Sequence, residues 1–501
     1  MNEKANRDQV IELPSEGPGA RVAKNTIVLI VLRLVVPILS LALISTLSRM
    51  LGAEGLGRYT LAFSFLTLLG GLAPLGLPTV ITRDGANDPN TLNNMLRNAM
   101  SCGAIASVLM TVTMIAAGSL LNYDAKTRSA LVILSIAIAP YTAGMLIDGA
   151  IVALEKMQYL AAATLAEYLL KVAVAMVLLW LGFGLNAVLL TAVLGKVVGC
   201  LTSIFLLRRS GVSVGFSIDP SMLRKLGRLA PTFLLTTIFS TLYWRIDVLI
   251  LSKLANTADL GYYGAAYRLF EIATVFPQSL CLSLYPQISA AVETNRDRLG
   301  RLGQSAWRYL LVVGLPAATF ATLLPAPILR LLYGAEFDAA APTLSVLMWT
   351  IIPYSLVRYN AYVLVAANQQ RVDLLLNLVM SVINVAINFV LIPRYSHLGA
   401  ATATLASMCA LVILQHACLR RFLPGQVAAI PVQPVVYWAV GGSALCAWLM
   451  RDLSILIVLT VASFLYIAIL FIGGFFTGAE LKFLRIPRFL RMLGLETKEL
   501  P

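Results

Sequence analysis

Charge is scarce in this sequence: 12% of its 501 residues are Asp, Glu, Lys or Arg, against 59% hydrophobic. A soluble domain carries roughly 25% charged residues and has no way to hide so much apolar side chain from water. Histidine is nearly absent. His397 and His416 stand apart, neither beside a nucleophile or a ligand set, and no H-E-x-x-H occurs, so no metal site is expected. No G-x-x-x-x-G-K-[ST] phosphate loop occurs, which argues against ATP hydrolysis on this chain. All six cysteines (Cys102, Cys200, Cys281, Cys409, Cys418 and Cys446) fall inside or at the edge of apolar runs rather than in loops, so a disulfide framework is not expected. Long polar loops are missing as well. The largest on one side, Asn122–Ser129 and Gly334–Pro342, leave no room for a catalytic domain, and no residue is assigned a catalytic role.

What is present is a series of apolar runs. Crossing about 30 Å of hydrocarbon takes about 20 residues at about 1.5 Å each. Runs of that length occur near 22–47, 59–82, 98–121, 130–153, 160–182, 187–207, 229–252, 262–289, 309–332, 343–366, 374–393, 400–419, 432–450 and 454–476. The expectation is an all-α membrane protein of about fourteen transmembrane helices. The first run is too long for a signal-peptide core and lacks a small-residue cleavage pattern, so it is expected to be retained.

The net charge of +14 is better explained by membrane topology than by nucleic acid. With the N-terminus inside, 24 of the 38 Lys and Arg fall on cytoplasmic segments, 7 on outer loops and 7 within spans. Basic residues near span ends resist translocation, so both termini are expected in the cytoplasm of a multi-pass protein of the bacterial inner membrane. The clusters Arg208/Arg209/Arg224/Lys225/Arg228 and Lys482/Arg485/Arg488/Arg491 then serve as topology signals that also meet membrane lipids.

The chain carries an internal repeat. Ser48-Arg49, Leu56-Gly57, Tyr59 and Ala62 recur, shifted by 204 residues, as Ser252-Lys253, Leu260-Gly261, Tyr263 and Ala266. Two pseudo-symmetric six-helix bundles are therefore expected, with two extra C-terminal helices. The boundaries are a cytoplasmic tail at 1–21, bundles at 22–207 and 229–422 around a linker at 208–228, the added pair at 432–476, and a basic tail at 477–501. Such duplication builds transporters in which two bundles rock around a central site.

Polar residues within the spans are the candidate site. Thr232, Thr236, Ser240, Tyr243 and Asp247 share one helical face, as do Tyr267, Glu271, Thr274 and Gln278, and Asn377, Ser381, Asn384 and Asn388. Such stripes face a wet cavity or join helices by hydrogen bonds. Seven basic residues (Arg33, Lys171, Lys196, Arg245, Arg268, Arg330 and Arg358) and four acidic ones (Asp148, Glu167, Asp247 and Glu271) lie within spans. Each costs roughly 2.5–3.5 kcal/mol at mid-membrane unless paired or wet. Spacing suggests Glu167–Lys171 and Arg268–Glu271 pairs. Arg245, Asp247, Arg268 and Arg330 are near enough to span ends to reach the interface. Arg33, Lys196 and Arg358 have no local partner and are the leading candidates for an anionic cargo, a diphosphate above all, with Lys171, Arg245 and Arg268 in support. Tyr354, Tyr359 and Tyr362 around Arg358 suit sugar stacking or ordinary packing. Asp148, Glu167 and Glu271 are the carboxylates suited to H+ or Na+ coupling, and no other cofactor is expected.

The stretch Ser48-Arg49-Met50-Leu51-Gly52-Ala53-Glu54-Gly55-Leu56-Gly57-Arg58-Tyr59 resembles the A-R-x-L-G-P-x-x-F-G-x-Y signature of Wzx-type polysaccharide flippases. Gly76-Leu77-Pro78 with Arg83, Arg245-Ile246-Asp247 with Leu260-Gly261-Tyr262-Tyr263, Tyr333-Gly334-Ala335-Glu336-Phe337, and Ile392-Pro393-Arg394-Tyr395 with Leu398-Gly399-Ala400-Ala401 resemble its later landmarks. Ser48 and Ala53 replace the family's usual Ala and Pro. The resemblance implies the multidrug/oligosaccharidyl-lipid/polysaccharide exporter superfamily, alternating access, and an undecaprenyl-diphosphate-linked repeat unit as cargo. A polysaccharide polymerase and other assembly proteins are the implied partners. A lipid II flippase and a cation-coupled multidrug antiporter are the alternatives within that superfamily. A membrane polymerase or ligase is the alternative outside it.

Overall fold

A computed structural model describes residues 18–294, 296–423 and 433–476. The predicted tail at 477–501 lies outside these residues, as does most of that at 1–21. Every regular element is a helix, as the scarcity of polar sequence requires: in lipid a single span closes its backbone hydrogen bonds only within a helix. In chain order they are α1 (Pro18–Leu72), α2 (Leu77–Asn87), α3 (Pro89–Leu120), α4 (Ala125–Ser135), α5 (Ile138–Ala153), α6 (Met157–Trp180), α7 (Leu185–Arg208) and α8 (Pro220–Leu254). There follow α9 (Thr257–Thr294), α10 (Arg296–Leu323), α11 (Pro325–Tyr333), α12 (Ala341–Trp349), α13 (Ile351–Ala366), α14 (Gln370–Phe422), α15 (Pro434–Leu449) and α16 (Ile455–Ile472).

Among the described residues, nine helical stretches are long and apolar enough to cross a membrane. Two of them each take in two predicted spans: α1 is broken at Gly52 (φ 69°) and α14 at Ser396 (φ 48°). Glycine suits the first break because it carries no Cβ to clash in the left-handed region. Exposed leucines confirm the solvent. Leu190, Leu194, Leu201 and Phe205 stand out from one face of α7, 48–57% exposed, an arrangement that lipid accepts and water does not.

The chain divides into two compact units. The first holds 1–268 together with Tyr333–Phe337 and Leu378–Ala403. Its core joins Leu77, Val80 and Ile81 of α2 to Leu92, Met95 and Leu96 of α3 and Leu146 and Ile147 of α5. The second holds Leu269–Leu332, Asp338–Asn377 and the described residues from Thr404 onward. Cys281 and Ile288 of α9 pack there with Trp307 and Leu310 of α10, Tyr359 and Val363 of α13, and Leu419 of α14. The two C-terminal helices belong to this unit: Val436, Ala439 and Tyr466 pack on α10, and the Tyr466 hydroxyl donates to the Val312 carbonyl at 2.6 Å.

The linker is shorter than expected and is held down. Only 209–219 are non-helical, because Pro220 at the first helical position and Asp219 as cap start α8 there. The strap is latched to α3. Asn93 accepts from the Ser213 amide (2.9 Å), Asn98 from the Asp219 amide (2.7 Å), and Asn94 donates to the Asp219 carboxylate (3.1 Å). The Asn94 amide and the Ser221 hydroxyl and backbone N–H hold the Asp219 carboxyl down from 3.8 to about 2. A depressed carboxyl stabilises the folded form only while ionised. The latch is therefore intact at neutral pH, starts to weaken as pH falls below 3.8, and is lost near 2. Asp219→Ala is expected to raise amide hydrogen exchange over Ser213–Ser221 roughly five- to tenfold at pH 7, while the core of α3 exchanges as before.

Candidate functional site

In the first unit, α5, α6 and α7 enclose a polar cavity of about 60 Å³, lined by Tyr141, Asp148, Thr164, Glu167, Lys196 and Ser203 among others. A space of this size with such walls holds water. Gly195 and Gly199 make the enclosure tight. A Cβ on either would lie 3.1 Å from Glu167 atoms, so α7 approaches α6 as closely as small residues allow. Lys196 Nζ is 2.7 Å from Glu167 Oε1 and 4.6 Å from the Tyr141 ring.

This geometry corrects two expectations. Lys196 is not without a partner, and Glu167 turns its carboxylate to Lys196 across the helix interface rather than to Lys171 one turn away. Lys171 is instead buried, 6% exposed, with its ammonium 4.0 Å from the Tyr168 ring and 5.8 Å from that of Phe63. Aromatic faces stabilise a desolvated ammonium by about 2 kcal/mol, which offsets part of its burial cost.

Breaking a buried pair by removing one member costs about 3–5 kcal/mol, and water in the cavity reduces this to about 2 kcal/mol. Glu167→Gln is therefore expected to lower the melting temperature by several degrees. Glu167→Leu combined with Lys196→Met is expected to recover most of it, as read by thermal unfolding in detergent.

The remaining candidates fall as follows. Arg33 lies half-buried on α1. Asp247 on α8 is buried, accepting from the Tyr263 hydroxyl and from the Val248 amide at 2.8 Å, so its carboxylate is turned into the protein rather than out of it. Arg245 is 5.9 Å from the Tyr267 ring. The side chains of Thr236 and Ser240 lie outside the described residues. Asn384 and Asn388 are buried and bonded to each other. They are 4% and 0% exposed, with Asn388 donating to Asn384 (2.9 Å to its side chain) and Asn384 to the Ala403 carbonyl at 3.4 Å, which is helix-joining geometry. Asn377 donates to the Asp373 carbonyl one turn before it at 2.8 Å and belongs to the second unit. Arg268 ends the contiguous stretch of the first unit and Glu271 is in the second. Arg330 is exposed and paired with Asp338.

In the second unit, Arg358 on α13 is half-buried with its guanidinium 5.8 Å from the Tyr362 ring, and Tyr362 meets Tyr285 at 5.3 Å. Its Nε is buried without a hydrogen-bond partner among the described residues. One turn back, Tyr354 accepts from Gln278 at 2.7 Å. No cluster of metal-ligating side chains occurs among the described residues.

The repeat has a structural counterpart that the list of candidates missed. A methyl on Gly57 would overlap the carbonyl oxygen of Thr257, and one on Gly261 would overlap that of Ala53. Residues 53 and 257, and 57 and 261, are separated by the same 204 positions, so the contact is two-fold in itself. Glu336 secures it from the side, its carboxylate accepting from the Ala53 amide at 3.0 Å beside Gly52.

Residues 22–292, more than half of the chain, match the family profile described as "Polysaccharide biosynthesis protein". The chain belongs to that family. This polysaccharide biosynthesis protein also matches the MatE profile over residues 232–390. It is 29% identical over 197 residues to the probable flippase AglR of Haloferax volcanii, a match covering 38% of this chain and only 40% of that relative. Its fold is similar to that of the lipid II flippase MurJ in an inward closed conformation (TM-score 0.71, 13% identity, 88% of this chain and 97% of that one). It is also similar to an inward-facing multidrug resistance MATE transporter (TM-score 0.64, 16% identity, 79% and 98%).

Proposed function

We propose that the protein flips an undecaprenyl-diphosphate-linked oligosaccharide repeat unit from the cytoplasmic to the periplasmic leaflet of a bacterial inner membrane, for exopolysaccharide, capsule or O-antigen synthesis. It moves its cargo without converting it. Family membership and the name of the archaeal relative support the reading. The observation that carries it is the Arg358 guanidinium, half-buried on a helix of a membrane protein, beside a tyrosine face, with a donor left over. A diphosphate supplies the acceptors that such a donor lacks, and sugars stack on tyrosines. Arg33, Lys171, Arg245 and Arg268 are the further cations offered to the phosphates. Lys196 is withdrawn from that group because Glu167 holds it.

In this reading the diphosphate and glycan enter from the cytoplasm, the lipid tail stays in the bilayer, and rocking of the bundles opens the site outward. H+ or Na+ drives the cycle through Asp148, Glu167 or Glu271. Both termini remain in the cytoplasm, and a polysaccharide polymerase receives the product. The test is purified protein in vesicles carrying a fluorescent undecaprenyl-diphosphate oligosaccharide on one leaflet. Transfer to the other leaflet, absent from protein-free vesicles, is the expected result. A multidrug antiporter, the reading suggested by the MatE match, exports a cationic dye instead and leaves the lipid in place.

A further inference from the structure

The strap at 209–219 presents a pattern that its latch imposes. Ser217 is turned inward, its amide donating to the Ser101 hydroxyl (3.1 Å) and its carbonyl accepting from it (2.8 Å). Arg97 donates to the Phe216 carbonyl at 3.3 Å. On either side of this backbone-anchored residue, Phe216 is 64% exposed and Ile218 76%. Two large apolar side chains held out by designed backbone contacts are not a packing accident.

Their surroundings are basic. Arg208, Arg209, Arg224 and Arg228 are all exposed, whereas Lys225 is committed to Asp84 at 3.5 Å. The lipid-facing leucines of α7 end at Phe205, on which the Arg209 guanidinium rests at 4.3 Å, and Arg208 ties the helix end to the Val214 carbonyl. The strap therefore begins where an apolar stripe meets arginine, the level of the headgroups.

We infer that the strap is a binding site for anionic phospholipid of the adjoining leaflet, with Phe216 and Ile218 entering the acyl boundary and Arg208, Arg209 and Arg224 meeting the phosphates. Apolar insertion and basic attraction act together in such surface anchors, each too weak alone. Since the latch ties the strap to α3, the anchor holds the first unit at a fixed depth. A loose connector of eleven residues would not.

The test replaces Phe216 with the photo-crosslinking residue p-benzoylphenylalanine in the full chain, reconstituted in nanodiscs of mixed phosphatidylethanolamine and phosphatidylglycerol. After illumination, mass spectrometry is expected to find phospholipid adducts with phosphatidylglycerol enriched at least about twofold over its share. Arg208→Gln, Arg209→Gln and Arg224→Gln together are expected to remove the enrichment. Should that variant fold poorly, about 1 M salt applied to the unsubstituted arginines screens the same attraction. Crosslinks to protein alone, or adducts at the bulk lipid ratio in every case, would overturn the inference.

Discussion

Arg358→Ala is expected to cut the initial rate of glycan-lipid transfer in vesicles by about 30- to 150-fold. A charge-assisted hydrogen bond contributes roughly 1.5–3 kcal/mol, and one decade of rate corresponds to about 1.4 kcal/mol, so losing one such bond of about 2–3 kcal/mol gives this factor. Arg358→Lys keeps the charge and loses the fork, so its rate is expected to fall between the two. Stability separates this role from a structural one. The Nε of Arg358 has no hydrogen bond to lose among the described residues, and its burial opposes folding. The Ala variant loses only the Tyr362 ring face and the attraction of Asp373, so it is expected to melt within a few degrees of the wild type in the absence of cargo. Wild-type transfer by this variant would remove Arg358 from the site.

The second large effect is expected at Gly57. Leucine there would drive its side chain into the Thr257 carbonyl, and a backbone oxygen inside a helix has nowhere to retreat. The two helices must part, breaking the Gly261–Ala53 approach and the Glu336 hydrogen bond to the Ala53 amide with it. Gly57→Leu is expected to lose more than about 90% of transfer, with a melting temperature lowered by at least several degrees. Gly261→Leu, its counterpart in the second copy, is expected to do the same. Gly227→Leu, at a position where a Cβ meets nothing within 4 Å, is the control and is expected to transfer normally. Equal behaviour of all three variants would show that the close approach is unimportant.

Much of this architecture is written in the sequence because lipid makes composition decisive. Helicity and membrane residence follow from apolar runs that have one stable form in a bilayer. The repeat offset of 204 is the signal that could have found the Gly57–Gly261 contact, since matched small residues mark where helices approach. The charges were less legible. Periodicity ranks Lys171 as the partner of Glu167 by distance along one helix, while Lys196 is 2.7 Å away on another, and sequence carries no measure of that separation. The α14 asparagines share one face in either reading, and only burial distinguishes a cavity wall from a seam. Asn93, Asn94, Arg97, Asn98 and Ser101 form a polar stripe on the first turns of α3. Its partner is the strap, folded back from more than a hundred residues downstream.

The self-matching contact at Gly57 and Gly261 also bears on ancestry. Residue i touching j while j's copy touches i's copy is what a symmetric homodimer makes of a single surface. The six crossings expected of each copy would leave both inserted the same way up, as a rotation axis along the membrane normal demands. A half-length forerunner that paired with itself through this glycine would have met the same steric demand twice over, and gene fusion through the strap would have freed the two halves to diverge everywhere except at that crossing.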